Sequence, residues 1–304
     1  MPARILVTGA GGFVGAAVVK TAIAAGHEVI GIVRNDSCRL APLLDRVSVQ
    51  RADLSDAAHV ATLLRAAMPD IVIHLAWEGV GGALRSGDIQ FDNIRSTLSL
   101  ADAAIAAGAR KFVGIGSQAE YGRYDRRLVE TDLPRPTMLY GAAKLAAHHL
   151  VAQRCRDAGL AFAWLRLFSV YGPGDNPNWL IPSVASALAG GTVPKCTAGT
   201  QKWDYLHIDD VARGILAAAT TEEATGVFNL SSGDPVAVRT VVEMLRDLVA
   251  PGMKLKFGEL PFGPDQIMHL EGDNSRLREA TGWSVKTALG DGLAQVVEGF
   301  RRAA

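Results

Sequence analysis

Residues 4–15 read Arg4-Ile5-Leu6-Val7-Thr8-Gly9-Ala10-Gly11-Gly12-Phe13-Val14-Gly15, and this stretch decides the fold. Its first part is rich in aliphatic and β-branched side chains and predicts a strand. The Ala- and Val-rich run that follows predicts a helix over 12–25. That helix stops at Gly26, a residue suited to the left-handed conformation after a last turn. Between strand and helix, Gly9, Gly12 and Gly15 recur at every third position. Such glycines let the chain turn tightly and let a pyrophosphate reach the positive end of the helix dipole. The expectation is a dinucleotide held by Gly9, Gly12, Phe13, Val14 and Gly15. A glycine-rich turn without a ligand is the competing reading, and the strand–turn–helix context weighs against it.

Working outward, the same alternation continues. Strands are expected at 4–8, 28–33, 47–50, 71–75, 111–115 and 161–168, with helices at 55–67, 91–107 and 138–158. Several of these strands are apolar throughout, as strands covered on both faces are. Ser55 is a plausible cap for the second helix, and Gly108 and Gly159 end later ones as Gly26 ends the first. The pattern predicts an α/β fold, a doubly wound parallel sheet of Rossmann type. After residue 168 a turn-rich break, Tyr171-Gly172-Pro173-Gly174-Asp175-Asn176-Pro177, changes the texture. A helix from about 180, a strand near 203–208, a helix over 209–219 and a strand at 227–230 follow. The remainder mixes short helices with Pro/Gly loops before a last helix from about 289. We expect residues 1–170 with 203–230 to form the dinucleotide-binding domain. Residues 171–202 with 231–304 would form a smaller mixed α/β substrate lobe.

Composition narrows the classes. The 304 residues are 49% hydrophobic and carry 31 basic and 31 acidic side chains. This balance argues against nucleic acid or an anionic membrane as partner. Cys38, Cys155 and Cys196 are scattered, which fits a reducing cytoplasm. The apolar stretches around 98–109 and 180–193 are interrupted and too short to span a bilayer. Met1 to Ala3 run straight into the first strand, leaving no room for a signal peptide.

Tyr140 and Lys144 stand four residues apart on the fourth expected helix, so phenol and ammonium share one face. A cation fixed beside a phenol draws its pKa down from about 10 toward working pH. The end of the second strand selects the dinucleotide. A carboxylate there would accept from the adenine ribose, whereas an arginine accommodates a 2′-phosphate. Here Val33 stands where the acid belongs and Arg34 follows. Guanidinium binds phosphate well, so NADP(H) is expected over NAD(H). A solvated surface arginine is the plainer reading, and Asp36 is an alternative ribose ligand.

Taken in order, the motifs resemble the extended short-chain dehydrogenases/reductases, which act mostly on nucleotide-linked sugars. The resemblance spans essentially the whole chain. Its pieces are the glycine motif; Asp53-Leu54; His74-Leu75-Ala76; Ser117 with Tyr121-Gly122; Tyr140 with Lys144; Arg166 with Tyr171-Gly172-Pro173; and 203–211, Trp-Asp-Tyr-Leu-His-Ile-Asp-Asp-Val. It implies that Asp53 and Leu54 contact the adenine, that Leu75 and Ala76 line the cofactor, and that Ser117, Tyr140 and Lys144 form the catalytic triad. It also implies a nucleotide-diphosphate sugar as substrate, a homodimer through the two Ala-rich helices, and substrate contacts from Ser117, Ser169, Asn178 and Lys202. Ser169 replaces the family's usual Asn, and Lys202-Trp203 stands where an Arg is common. Glu120 occupies a usually apolar position, as a substrate hydroxyl ligand or as a loop cap.

In the expected chemistry Tyr140 is general acid, Lys144 stabilises the phenolate and Ser117 supports the developing oxyanion. With the resemblance, Arg34 leads to an NADPH-dependent reductase of a nucleotide-diphosphate 4-keto-6-deoxyhexose, giving the 4-hydroxy sugar. The alternatives are a 4-epimerase with retained NAD and, from another class, a non-catalytic NADP(H) sensor. No metal site is expected. His148-His149 reads as a solvated or dimer-facing pair, Asp209-Asp210 as dipole-favouring acids at a helix start, and Trp77 as a substrate stack or a buried sheet-end residue.

Overall fold

Strand β1 (Arg4–Thr8) runs into helix α1 (Phe13–Ala24), and the unit repeats: β2 (Glu28–Val33), β3 (Ser48–Arg51), α2 (Ala57–Ala67), β4 (Ile71–His74), α3 (Ile89–Ala106), β5 (Lys111–Ser117). The chain continues through β6 (Arg127–Leu128), α4 (Leu139–Asp157), β7 (Ala161–Leu167), β8 (Ser169–Tyr171), α5 (Leu180–Ala189), β9 (Lys202–Trp203), β10 (Tyr205–His207), α6 (Ile208–Thr220) and β11 (Gly226–Leu230). It ends with β12 (Val236–Ala237), α7 (Val238–Val249), β13 (His269–Gly272), α8 (Ser275–Thr281) and α9 (Leu289–Ala303). These elements come from a computed structural model that describes residues 2–35, 38–263 and 266–303.

Seven strands form one sheet in the order β11-β7-β5-β4-β1-β2-β3, and every neighbouring pair is parallel. The expected doubly wound Rossmann-type sheet is therefore present. Its strands are buried on both sides for a visible reason. Ile5, Val7, Val29, Ile73, Val113 and Leu165 pack into one core with α1 and α6. Leu6, Ile30, Ile32, Val72 and Phe112 pack into another with α2, α3 and α4. Alternate side chains point to opposite faces, so a strand serving two cores has no polar face. The strand order reverses between β1 and β4, which opens a crevice at their carboxyl ends. Gly9 and Leu75 begin the loops there. Gly26, Gly108 and Gly159 all have positive φ, as their place after a last helical turn requires.

Several local expectations differ. Asp56, not Ser55, caps α2, accepting from His59 N; Ser55 instead donates to Asp53. β5 reaches Ser117, two residues beyond the expected end. The strand expected at 203–208 is two strands broken at Asp204. This buried carboxylate accepts the amides of Ser232, Gly233 and Gly272 at 2.6–3.1 Å. β9 consequently joins β12 and β13, while β10 pairs with β8.

The expected lobe is mixed in another sense. Residues of α5, α7 and α9 build their own apolar cluster around Val184, Leu188, Val241, Leu245, Leu293 and Val296. Leu277 and Trp283, however, pack into the sheet core beside α6. Asp210 explains why: it is buried, accepts from Lys286 N and Thr287 N, and its carbonyl accepts from Trp283 Nε1. Asp210 thus ties the tail down as well as favouring the helix dipole. Among the described residues no helix is long and apolar enough to cross a membrane.

Candidate active site

The turn after β1 is built from backbone. Gly9 has φ +66°, and a Cβ there would meet Ala76 N at 2.8 Å. A Cβ on Gly15 would lie 2.0 Å from Gly9 O, so only glycine lets α1 fold back onto the strand. Gly12 is exposed, donates to Gly9 O at 2.9 Å and caps α1. That helix has no side-chain cap and no acid in its first turn, so its positive end faces the loop unopposed. The cradle fits a pyrophosphate. Val14 packs into the core, while Phe13 Cζ lies against Gly172.

From Gly9 a groove of about 580 Å³ runs past Ile32, Arg34, Asp53, Leu54, Ala76 and Glu78. Asp53 accepts the Ser55 amide at 2.9 Å and hydroxyl at 2.7 Å, which holds its carboxyl below the usual range. Arg34 forms an ion pair with Glu78. The cation read as a 2′-phosphate ligand therefore already has a carboxylate partner. Asp36 lies outside the described residues. Leu75 turns its side chain to the core and its amide donates to Thr8 O.

Beneath the groove, hydrogen bonds run in one direction. Ala76 N donates to Thr8 Oγ1, which donates to His74 Nδ1 at 2.8 Å. His74 Nε2 donates to Thr97 Oγ1 at 2.9 Å, and Thr97 donates to Asn93 O at 2.7 Å. Each hydroxyl gives once and receives at least once, which assigns the neutral Nε2–H tautomer. Burial, reinforced by the Lys144 charge, pushes His74 down to about 3. Asn93 and Gln90 of α3 then hold the segment after β4: Asn93 exchanges bonds with the Glu78 backbone, and Gln90 bonds Gly79 O, Leu84 O and the Trp77 indole.

Outside the lining of this groove, β5 and α4 bring Ser117, Tyr140 and Lys144 together. Lys144 Nζ donates to Ile115 O at 2.7 Å and lies 3.7 Å from the Trp77 ring centre. Burial pushes it down to about 7, against the raising effect of Glu120. For Tyr140, burial raises the pKa; a hydrogen bond with Ser117 and the Arg85 charge lower it, and Glu120 raises it. The net shift is upward, contrary to the expectation from Lys144. Burial of the phenol is the largest cause; the ammonium is directed at a carbonyl and an indole, and the cation acting on the phenol is Arg85, 4.6 Å from its ring centre.

Glu120 is a cap, not a free substrate ligand. It is fully buried, closes a capping box with Ser117 and accepts from Trp164 Nε1 and Arg166 Nε. His148 is likewise buried, stacked on Phe162 and Trp164, and burial pushes it down to about 3; only His149 is exposed. Trp77 is half-buried past the end of β4, and its indole lies over Lys144. Ser169 sits half-buried on β8, Asn178 exposed in the turn between β8 and α5, and Lys202 exposed on β9; none of them lines the groove. Arg85 escaped sequence reading because it lies in a short 3₁₀ turn far upstream of Tyr140 and belongs to no motif.

Residues 5–231 match the model of the NAD dependent epimerase/dehydratase family. The chain is 30% identical over 312 residues to a UDP-glucose 4-epimerase of Mycolicibacterium smegmatis, covering 98% of each. It is 29% identical to a dTDP-glucose 4,6-dehydratase of Streptomyces griseus over 99% of this chain and 95% of that one. Its structure superposes on MoeE5 in complex with UDP-glucose and NAD with a TM-score of 0.86, at 30% identity and 99% coverage of both chains. The chain belongs to the NAD dependent epimerase/dehydratase family and is an enzyme of that family.

Proposed function

We propose that this family member is a nucleotide-sugar 4-epimerase working with a retained NAD, acting through Ser117, Tyr140 and Lys144. The observation that carries the choice is the Arg34–Glu78 ion pair at the adenine end of the groove. A guanidinium engaged by a carboxylate offers little to a 2′-phosphate, whereas Glu78 and Asp53 suit ribose hydroxyls. This favours NAD, and with it a reaction that regenerates its own cofactor, over net reduction by NADPH. MoeE5, 30% identical, was crystallised with NAD and UDP-glucose, which supports the same direction.

A bound dinucleotide would supply reversible hydride chemistry at the sugar carbon. The chain's residues govern the proton. Tyr140, as the phenolate that Ser117 and Arg85 favour, takes it from the C4 hydroxyl, holds it as the phenol and later returns it; Ser117 hydrogen-bonds the same oxygen. Lys144 orients the nicotinamide ribose. The nucleotide diphosphate falls to Lys202, Ser169 and Asn178 as substrate contacts, and two copies pair through α3 and α4. A 4,6-elimination is less well supported, because it needs a further base for the C5 proton. The carboxylate whose charge reaches the triad, Glu120, is buried and engaged.

The test is direct. The purified protein is denatured, its nucleotide identified by chromatography, and fresh protein incubated with UDP-glucose or another nucleotide hexose without added cofactor. Released NAD and formation of the C4 epimer are the expected results. Consumption of NADPH with a 4-keto nucleotide sugar, without isomerisation, would replace this reading by the reductase one. Binding of dinucleotide without either reaction would favour a sensor.

A further inference from the structure

Behind the triad lies a carboxylate that no part of the proposed chemistry touches. Glu120 has a fully buried side chain and its partner Arg166 is 3% exposed. Three donors from three places converge on it: Ser117 N at 2.9 Å, Trp164 Nε1 at 3.0 Å and Arg166 Nε at 2.9 Å. The backbone makes room for it. A Cβ on Gly116 would lie 2.3 Å from Glu120 Oε1 and 2.2 Å from Trp164 Nε1. The Arg166 guanidinium is itself held over the Tyr121 ring, 4.4 Å from its centre, and donates to Glu130 O. A buried ion pair of this kind is a weak source of stability, so its presence asks for another explanation.

Resting on the assignment of Ser117, Tyr140 and Lys144 above, we propose that Glu120 is a positioning residue of the site. Its carboxylate clamps the end of β5 that presents Ser117 and supplies the fixed negative charge behind α4. The charges facing it are unequal. From β7 comes Arg166, held by a direct bond. From α4 come Lys144 and Tyr140, both of which feel the Glu120 charge; His148, farther along that helix, feels Arg166 instead. From the other side Lys144 faces the neutral His74 of β4, and Tyr140 faces Arg85. Removal of the carboxylate leaves Lys144 against the Ile115 carbonyl, the Trp77 indole and the neutral His74. The ammonium then has less reason to stay charged.

The test reads Lys144 itself. In the full chain labelled at lysine ¹³Cε, the Lys144 signal is assigned by its loss in Lys144→Met and titrated by NMR. In Glu120→Gln, which keeps the acceptor toward Ser117 and Trp164, its midpoint is expected to fall by about one unit. Glu120→Asp is expected to restore much of it. The pH–rate profile of nucleotide-sugar isomerisation should move in the same sense while KM stays within about twofold. Because Glu120→Gln strands the Arg166 charge, Glu120→Gln/Arg166→Gln serves as a second variant with the same expected direction. An unmoved Lys144 midpoint in the folded variants overturns the proposal, as does a moved midpoint with an unmoved rate profile. If the midpoint moves but the wild-type chain isomerises no nucleotide sugar, the functional reading falls and the electrostatic role of Glu120 stands.

Discussion

At the end of β5, Ser117, Tyr140 and Lys144 sit in the protein interior with the Glu120–Arg166 pair sealed beneath them, 0% and 3% exposed. At the end of β2, Arg34 and Glu78 meet in solvent, their side chains 53% and 49% exposed. Both corners hold an arginine against a glutamate. In the interior the pair is locked by further bonds and its charge acts on neighbours that water does not screen. At the surface a similar pair is worth little and is loosened by salt. On the function proposed above, the buried corner fixes the chemistry, while the exposed one only biases which dinucleotide enters.

The contrast can be broken by substitution. Tyr140→Phe removes the proton carrier of the buried corner. Turnover should drop by about 10³-fold with dinucleotide affinity, measured by calorimetry, nearly unchanged; a near-wild-type rate would remove Tyr140 from the mechanism. Gly15→Ala tests the turn that joins the corners. With Gly9 O in the way of its Cβ, the protein should lose dinucleotide binding and melt several degrees lower, on the order of 2–3 kcal/mol.

His148 probes the interior through pH. Its folded-state value of about 3 lies below the usual 6.5, so between these the unfolded chain binds more protons. Stability is then full above pH 6.5 and is lost as pH falls toward 3, by about 2 kcal/mol at pH 5 from this residue. Urea titrations of His148→Phe should show a shallower acid loss than wild type, with the His74 contribution remaining. The smallest effect belongs to the exposed corner. Glu78→Gln frees Arg34 and should shift the NADP-to-NAD affinity ratio by up to about tenfold, roughly 1.4 kcal/mol. A ratio that stays fixed would show that Arg34 does not face the adenine ribose at all.

Much of this was legible along the chain. Continuous apolar strands, glycines after helices, and Tyr140 four residues before Lys144 each declare themselves within a few positions. Reading failed where a partner comes from far away. Ser55 looked like the cap of α2, but Asp53 recruits it. The break at Asp204 is invisible until Ser232, Gly233 and Gly272 arrive as donors.

The sequence by itself determined the doubly wound sheet, the glycine turn and the shared helical face of phenol and ammonium. All three follow from local conformational preference and the periods of strand and helix. Tertiary structure alone decided what each charged group does. Glu120 became a buried clamp through Trp164 and Arg166, Arg34 was turned toward Glu78, and Arg85 was brought over Tyr140. A charge takes its meaning from the partner and the dielectric around it, and both are set by segments distant in the chain.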